Sequence, residues 1–115
     1  MPTTYKILGQ VAPTLNTANT VYTVPAATQS VISSINICNP DSTSRTFRVA
    51  IIPSGNTLAQ RHYLAYETPV AATDTITLSA GITMGANDSI SVFANNSSNV
   101  SFSVFGSEIT WQLNH

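Results

Sequence analysis

Asp41, Glu67, Asp74, Asp88 and Glu108, with His62, His115 and Cys38, carry whatever acid–base, thiol or metal chemistry this 115-residue chain could perform. General acid–base catalysis needs two titratable groups converging in one pocket. Asp41, Asp74 and Asp88 instead precede strand-like runs or fill polar loops, where an aspartate caps its own backbone. His62 stands between Arg61 and Tyr63 with no His, Cys or carboxylate at metal-ligand spacing. It reads as a surface or interface histidine, and no metal site is expected. Cys38 would need a basic partner to act as a nucleophile, and at the end of an apolar run it reads as a small buried hydrophobe. A lone cysteine forms no disulfide within the chain. No Gly-x-Ser-x-Gly and no phosphate-cradling glycine loop occurs. The expectation is a protein without catalytic residues or cofactor.

Binding chemistry is the better prospect. Asn87, Asn95, Asn96 and Asn99 each stand two residues before a serine. As glycosylation acceptors they would matter only in a eukaryotic secretory route. Asn95, Asn96 and Asn99 are candidate loop contacts that could meet a sugar through amides and neighbouring hydroxyls; a solvated loop is the plainer alternative. Tyr5, Tyr22, Tyr63, Tyr66 and Trp111 are amphipathic aromatics of the kind favoured at interfaces. Of these, Tyr5, Tyr63, Tyr66 and Trp111 are the candidate interface residues. Trp111 reads equally as a lid over the core or as an anchor in a partner's pocket.

Composition narrows the class of partner. Apolar residues make up 43% of the chain, enough for one core, whereas charged residues make up only 8%, against about 25% in ordinary domains. Ser, Thr and Asn supply the polarity. Lys6, Arg45, Arg48 and Arg61 are too few to build the basic stripe a nucleic acid requires, so no nucleic-acid partner is expected. No apolar stretch reaches the roughly 20 residues of a membrane helix, and no membrane partner is expected either. The opening MPTTYKILGQ lacks the pattern of a secretory signal, which points to folding in a cytoplasm. A nearly neutral surface rich in hydroxyls suits a protein packed among neighbours.

The elements that must carry these residues are strands. Period 2 recurs, and no segment shows a convincing period of 3.6. Phe47, Val49 and Ile51 alternate with Thr46, Arg48 and Ala50. Ile76 and Leu78 alternate with threonines, Ile90 and Val92 with serines, and Val100, Phe102 and Val104 with Ser101 and Ser103. Less regular runs cover 5–8, 21–24, 31–38 and 62–66. In the third of these, Val31, Ile35 and Ile37 fall on one face, Ile32 and Cys38 on the other. One helical turn is conceivable over 57–61. Turn signals at Pro25, Asn39-Pro40-Asp41, Pro53-Ser54-Gly55-Asn56, Gly85-Ala86-Asn87-Asp88 and 95–98 separate the runs. The reading is an all-β fold: one antiparallel β-sandwich over residues 1–115, jelly-roll or immunoglobulin-like, with about eight strands. Residues 1–9 form an opening strand that could pair with a neighbouring subunit, and 110–115 form a C-terminal tail.

The blocks YKILGQVAP, VYTVPAATQSVISSINICNP, TFRVAIIPSG, HYLAYE, ATDTITLSAGITMGANDSISVFA and VSFSVFGSEI span Tyr5 to Ile109. In that order they resemble small β-sandwich virion structural proteins of tailed phages, of the cyanophage and aquatic-phage type. The resemblance implies a multi-copy accessory protein of the particle, assembled in a bacterial cytoplasm and located in the virion. It brings no catalytic motif. The leading expectation is a head decoration or cement protein bound to the major capsid protein. A tail, collar or fibre-associated component bound to tail proteins, acting as adaptor or glycan-binding tip, is the alternative; a free carbohydrate-binding module is the second. A homo-oligomer is expected, a trimer being the natural guess at quasi-symmetric axes.

Overall fold

The computed structural model describes residues 3–110, the side chain of residue 80 apart. Eight strands follow one another: β1 Thr3–Val11, β2 Asn19–Thr23, β3 Thr28–Asn39, β4 Arg45–Ile52, β5 Tyr63–Val70, β6 Asp74–Met84, β7 Ser89–Ala94 and β8 Ser101–Thr110. The helical turn forms at Gln60–His62, at the end of the stretch expected to hold it. All strand pairs are antiparallel. They build two four-stranded sheets, ordered β1-β8-β3-β6 and β2-β7-β4-β5. The chain passes between sheets at nearly every connection, and this nested order is the jelly roll, not the immunoglobulin form.

The two inner faces meet over Ile32, Ile35, Ile37, Phe102 and Val104 from the first sheet and Phe47, Val49, Ile90 and Val92 from the second, all at most 1% exposed. Phe47 and Phe102 meet edge to face across the sandwich, with ring centroids 6.1 Å apart. Such a pair adds about 0.5–1.5 kcal/mol to what burial alone supplies.

Strict alternation fails in β3, and a bulge is the reason. Ile32, Ile35 and Ile37 are all buried, while Val31 is only half-buried. The register slips at Ser33 against both neighbouring strands. One extra residue reverses the phase of everything before it. Ile32 therefore joins the core that simple alternation reserves for Val31. Cys38 lies one residue past Ile37, faces outward and is exposed. The expectation of a buried thiol is corrected, because the outer face of the first sheet is open at that end.

Two glycines permit close backbone approaches. A Cβ on Gly106 would lie 2.1 Å from the Val31 carbonyl oxygen, and one on Gly9 would lie 2.2 Å from that of Val21. Gly9 thus marks where β1 of one sheet meets β2 of the other. β1 pairs with β8 of its own chain over its whole length, so the opening residues are an edge strand of the domain's own sheet. β8 runs on to Thr110, the first residue of the expected tail.

Candidate functional site

The largest concentration of interface chemistry lies on the outer face of the β2-β7-β4-β5 sheet. Arg48 of β4 stands opposite Phe93 of β7. Both neighbours of Arg48 in the chain, Phe47 and Val49, point into the core, which sends Arg48 outward. Its guanidinium lies 4.3 Å from the Phe93 ring centroid and 4.6 Å from that of Tyr66. Its Nε donates to Glu67 at 2.5 Å. The ion pair and burial act oppositely on Arg48, and the Glu67 hydrogen bond prevails to raise its pKa. The charge is permanent and its ligands fix its place.

Tyr63 and Tyr66 meet edge to face at 4.8 Å. Residues three apart on a regular strand point to opposite faces. Irregular pairing brings these two together. Between Ala50 and Val49 the partner on β5 moves from Tyr63 to Ala65, so two residues of β5 match one step of β4. A second slip follows between Val49 and Phe47, where Glu67 takes a left-handed backbone with φ 49°. The result is a raised patch of Tyr63, Tyr66, Arg48 and Phe93, with Leu64 and Tyr66 nearly half exposed at the strand edge. Tyr and Arg are the residue types that dominate binding energy at protein interfaces.

Tyr5 does not join this patch. It is 82% exposed on the opposite sheet, beside Ile7 at 55%. Ile7 stands opposite Phe105 on the outer face there. Trp111 lies outside the described residues. Tyr22, grouped by sequence with the amphipathic aromatics, is buried at 8%. Its hydroxyl donates to Glu108 and lies 2.6 Å from the Ser30 hydroxyl. His62 is likewise buried, at 7%, which corrects its reading as a surface residue. Its Nδ1 accepts from the Ala59 N–H at 3.0 Å, pulling the ring under the turn that precedes β5.

The asparagine loop is built into the fold. The Asn99 side chain donates to Asp41 at 2.9 Å, as does the Ser97 hydroxyl at 2.7 Å. Arg45 pairs with the same carboxylate at 3.0 Å. Hydrogen bonds from Asn99, then Ser97, hold the Asp41 carboxyl below its usual range against partial burial, with Arg45 assisting. Asn96 donates its N–H to Asn16 at 2.7 Å, and the Asn95 N–H donates to the Thr46 carbonyl at 2.9 Å. Asn95 and Asn96 nonetheless line an open recess of about 160 Å³ with Ser44, Arg45 and Thr46. Among the described residues no group of three His, Cys, Asp or Glu side chains could hold a metal ion.

Sequence reasoning missed Arg48, Phe93 and Glu67 as a unit. One signal was available. In a chain with four cations, each deserves a search for a partner, and Lys6, Arg45 and Arg48 all have a carboxylate.

No family model matches the chain, and no curated protein does. Neither comparison carries the resemblance to tailed-phage proteins. Among solved structures, the chain is similar to one in the structure of infectious bursal disease virus, Gx strain, with a TM-score of 0.55 and 12% sequence identity. The likeness covers 97% of this chain and 32% of that one, so this chain spans about a third of its length. At that identity the likeness is one of fold.

Proposed function

We propose that this protein is a structural subunit of a virus particle, and more finely a multi-copy decoration or cement protein on the head of a tailed phage. The strand order β1-β8-β3-β6 over β2-β7-β4-β5 carries the reading. It is the jelly roll that recurs in viral capsid domains, and the fold likeness is to a chain from a virus structure. Fold alone does not assign function. Three further observations support the same direction. The phage-like sequence blocks run from Tyr5 to Ile109. The outer strand positions carry Ser and Thr with few charges, which lowers the cost of removing them from water. The Arg48–Tyr66–Phe93 patch presents anchor residues to a neighbour.

In this reading the outer face of the β2-β7-β4-β5 sheet docks onto the major capsid protein, and neighbouring copies meet through other surfaces. Electron cryo-microscopy of intact particles is the test. The expected result is density for this chain repeated over the head lattice. A few copies confined to the tail would overturn the head assignment, and absence from purified particles would overturn the virion assignment.

A further inference from the structure

We infer that the recess at the end of the β2-β7-β4-β5 sheet binds a single neutral sugar residue. The inference does not depend on where the chain sits in a particle. The walls are Ser44, Arg45, Thr46, Asn95 and Asn96, and none of these is apolar. Two hydroxyls, two carboxamides and a guanidinium supply both donors and acceptors, which is what the hydroxyls of a sugar ring need. The space, about 160 Å³, is smaller than the roughly 300–1,000 Å³ of pockets that hold drug-sized ligands. It suits one monosaccharide unit.

The fold leaves much of this wall chemistry free. Ser44 reaches the Val70 carbonyl at 3.3 Å, and Thr46 and the Asn95 amide reach Glu67 at 3.4 Å. The Asn16 amide reaches Asn96 at 3.4 Å. These lie beyond the usual 2.7–3.2 Å range and are weak commitments. Arg45 spends its Nε on Asp41, and its terminal nitrogens have no partner among the described residues. The backbone beneath is firm by contrast, held by the short bonds at Asn95 and Asn96. Firm walls with loosely engaged polar groups spare a ligand much of the ordering cost of binding.

Charge selects the class. Arg45 is balanced by Asp41, and Arg48 by Glu67. An acidic sugar or a phosphate would gain one guanidinium and face two carboxylates nearby. A neutral sugar meets no such opposition.

The test is a ¹H–¹⁵N NMR titration of the full chain with methyl glucoside, methyl galactoside and N-acetylglucosamine, with N-acetylneuraminic acid as the acidic comparator. The expected result is saturable shifts of the Asn95 and Asn96 side-chain amides and of the 44–46 backbone amides with at least one neutral sugar. Thr46→Val keeps the shape and removes one hydroxyl, and should weaken that sugar about three- to tenfold. Ser44→Ala is the second variant, and its spectrum, like that of Thr46→Val, reports whether the fold is intact. Absence of saturable shifts at the recess overturns the proposal. So does tighter binding of the acidic sugar, or binding unaltered in both variants. A glycan array then separates a surface polysaccharide from a free monosaccharide as the source.

Discussion

The Tyr22 hydroxyl, carried by the β2-β7-β4-β5 sheet, donates across the sandwich to Glu108 of the other sheet at 2.5 Å. Ser30 shares the hydroxyl, and Lys6 reaches the second carboxylate oxygen at 2.9 Å from the rim. The network closes one end of the sandwich with polar groups where apolar packing stops. Removing the hydroxyl leaves Glu108 and Ser30 short of a partner in a buried place. Tyr22→Phe should therefore cost about 1–3 kcal/mol, read from urea unfolding.

The same pair sets two pH limits. Burial pushes the Glu108 carboxyl up, but hydrogen bonds from Tyr22 and Lys6 outweigh it and its pKa falls below the ordinary 4.5. A carboxylate with a depressed folded pKa contributes stability above its unfolded value, and loses it as pH falls through the folded one. Burial first, and then the hydrogen bond to Glu108, push the Tyr22 phenol from 10.0 to about 12. That contribution is complete below pH 10 and is lost as pH rises toward 12. Unfolding midpoints measured across pH should fall at both ends. In Glu108→Gln the acid-side loss should shrink. An unchanged acid limb in that variant would place the acid sensitivity elsewhere.

Gly106→Ala tests the close approach of β8 to the Val31 carbonyl in the same sheet. The new Cβ would meet the Val31 carbonyl, part of the paired backbone, which cannot swing aside as a side chain can. The cost should be about 1–3 kcal/mol, with the disturbance centred on the β3–β8 ladder in amide hydrogen exchange. Wild-type stability in this variant would mean that the two strands separate there at little expense.

Phe102→Ala and Ile76→Ala separate two positions that share the same alternating pattern. Phe102 is fully buried and packs against Phe47. Its loss should cost about 3–5 kcal/mol. Ile76 lies on the edge strand β6 and is only partly buried. Its loss should cost about 1–2 kcal/mol. Alternation identifies which face a residue occupies, and the residue's place across the sheet decides how much water it escapes.

That distinction describes what was legible in the sequence. Alternation located the four strands around Phe47, Ile76, Ile90 and Phe102, whose hydroxyl-bearing faces repeat the signal, and apolar, β-branched or aromatic runs between turn signals located the other four. Strand ends ran longer than read; β6, for example, continues through Ser79 to Met84 where small residues interrupt the apolar beat. Bulges were invisible. The extra residue at Ser33 traded Val31 for Ile32 in the core, and irregular pairing of β5 put Tyr63 beside Tyr66. Nothing local marks such a slip, since it is imposed by partners distant in the chain. The candidate site suffered for the same reason. Tyr63 and Tyr66 were visible singly, whereas Arg48, Phe93 and Glu67 become one unit only when β4, β5 and β7 are side by side.

Arg48→Ala asks whether this unit serves binding or stability. Its pair with Glu67 is partly solvent-exposed, with side chains 26% and 33% accessible, and surface pairs of this kind contribute about 0–1 kcal/mol. The contacts with Tyr66 and Phe93 add about 0.5–1 kcal/mol. The fold should thus lose about 1 kcal/mol and remain cooperative in thermal unfolding. If the patch docks onto a capsid lattice, the same substitution removes a desolvated anchor from the interface centre, where such losses reach about 2 kcal/mol or more. Binding to particles stripped of this protein, measured by co-sedimentation, should then weaken about thirtyfold. Undiminished binding with a stable fold would exclude this face as the docking surface and direct attention to Tyr5, Ile7 and Phe105 on the opposite sheet.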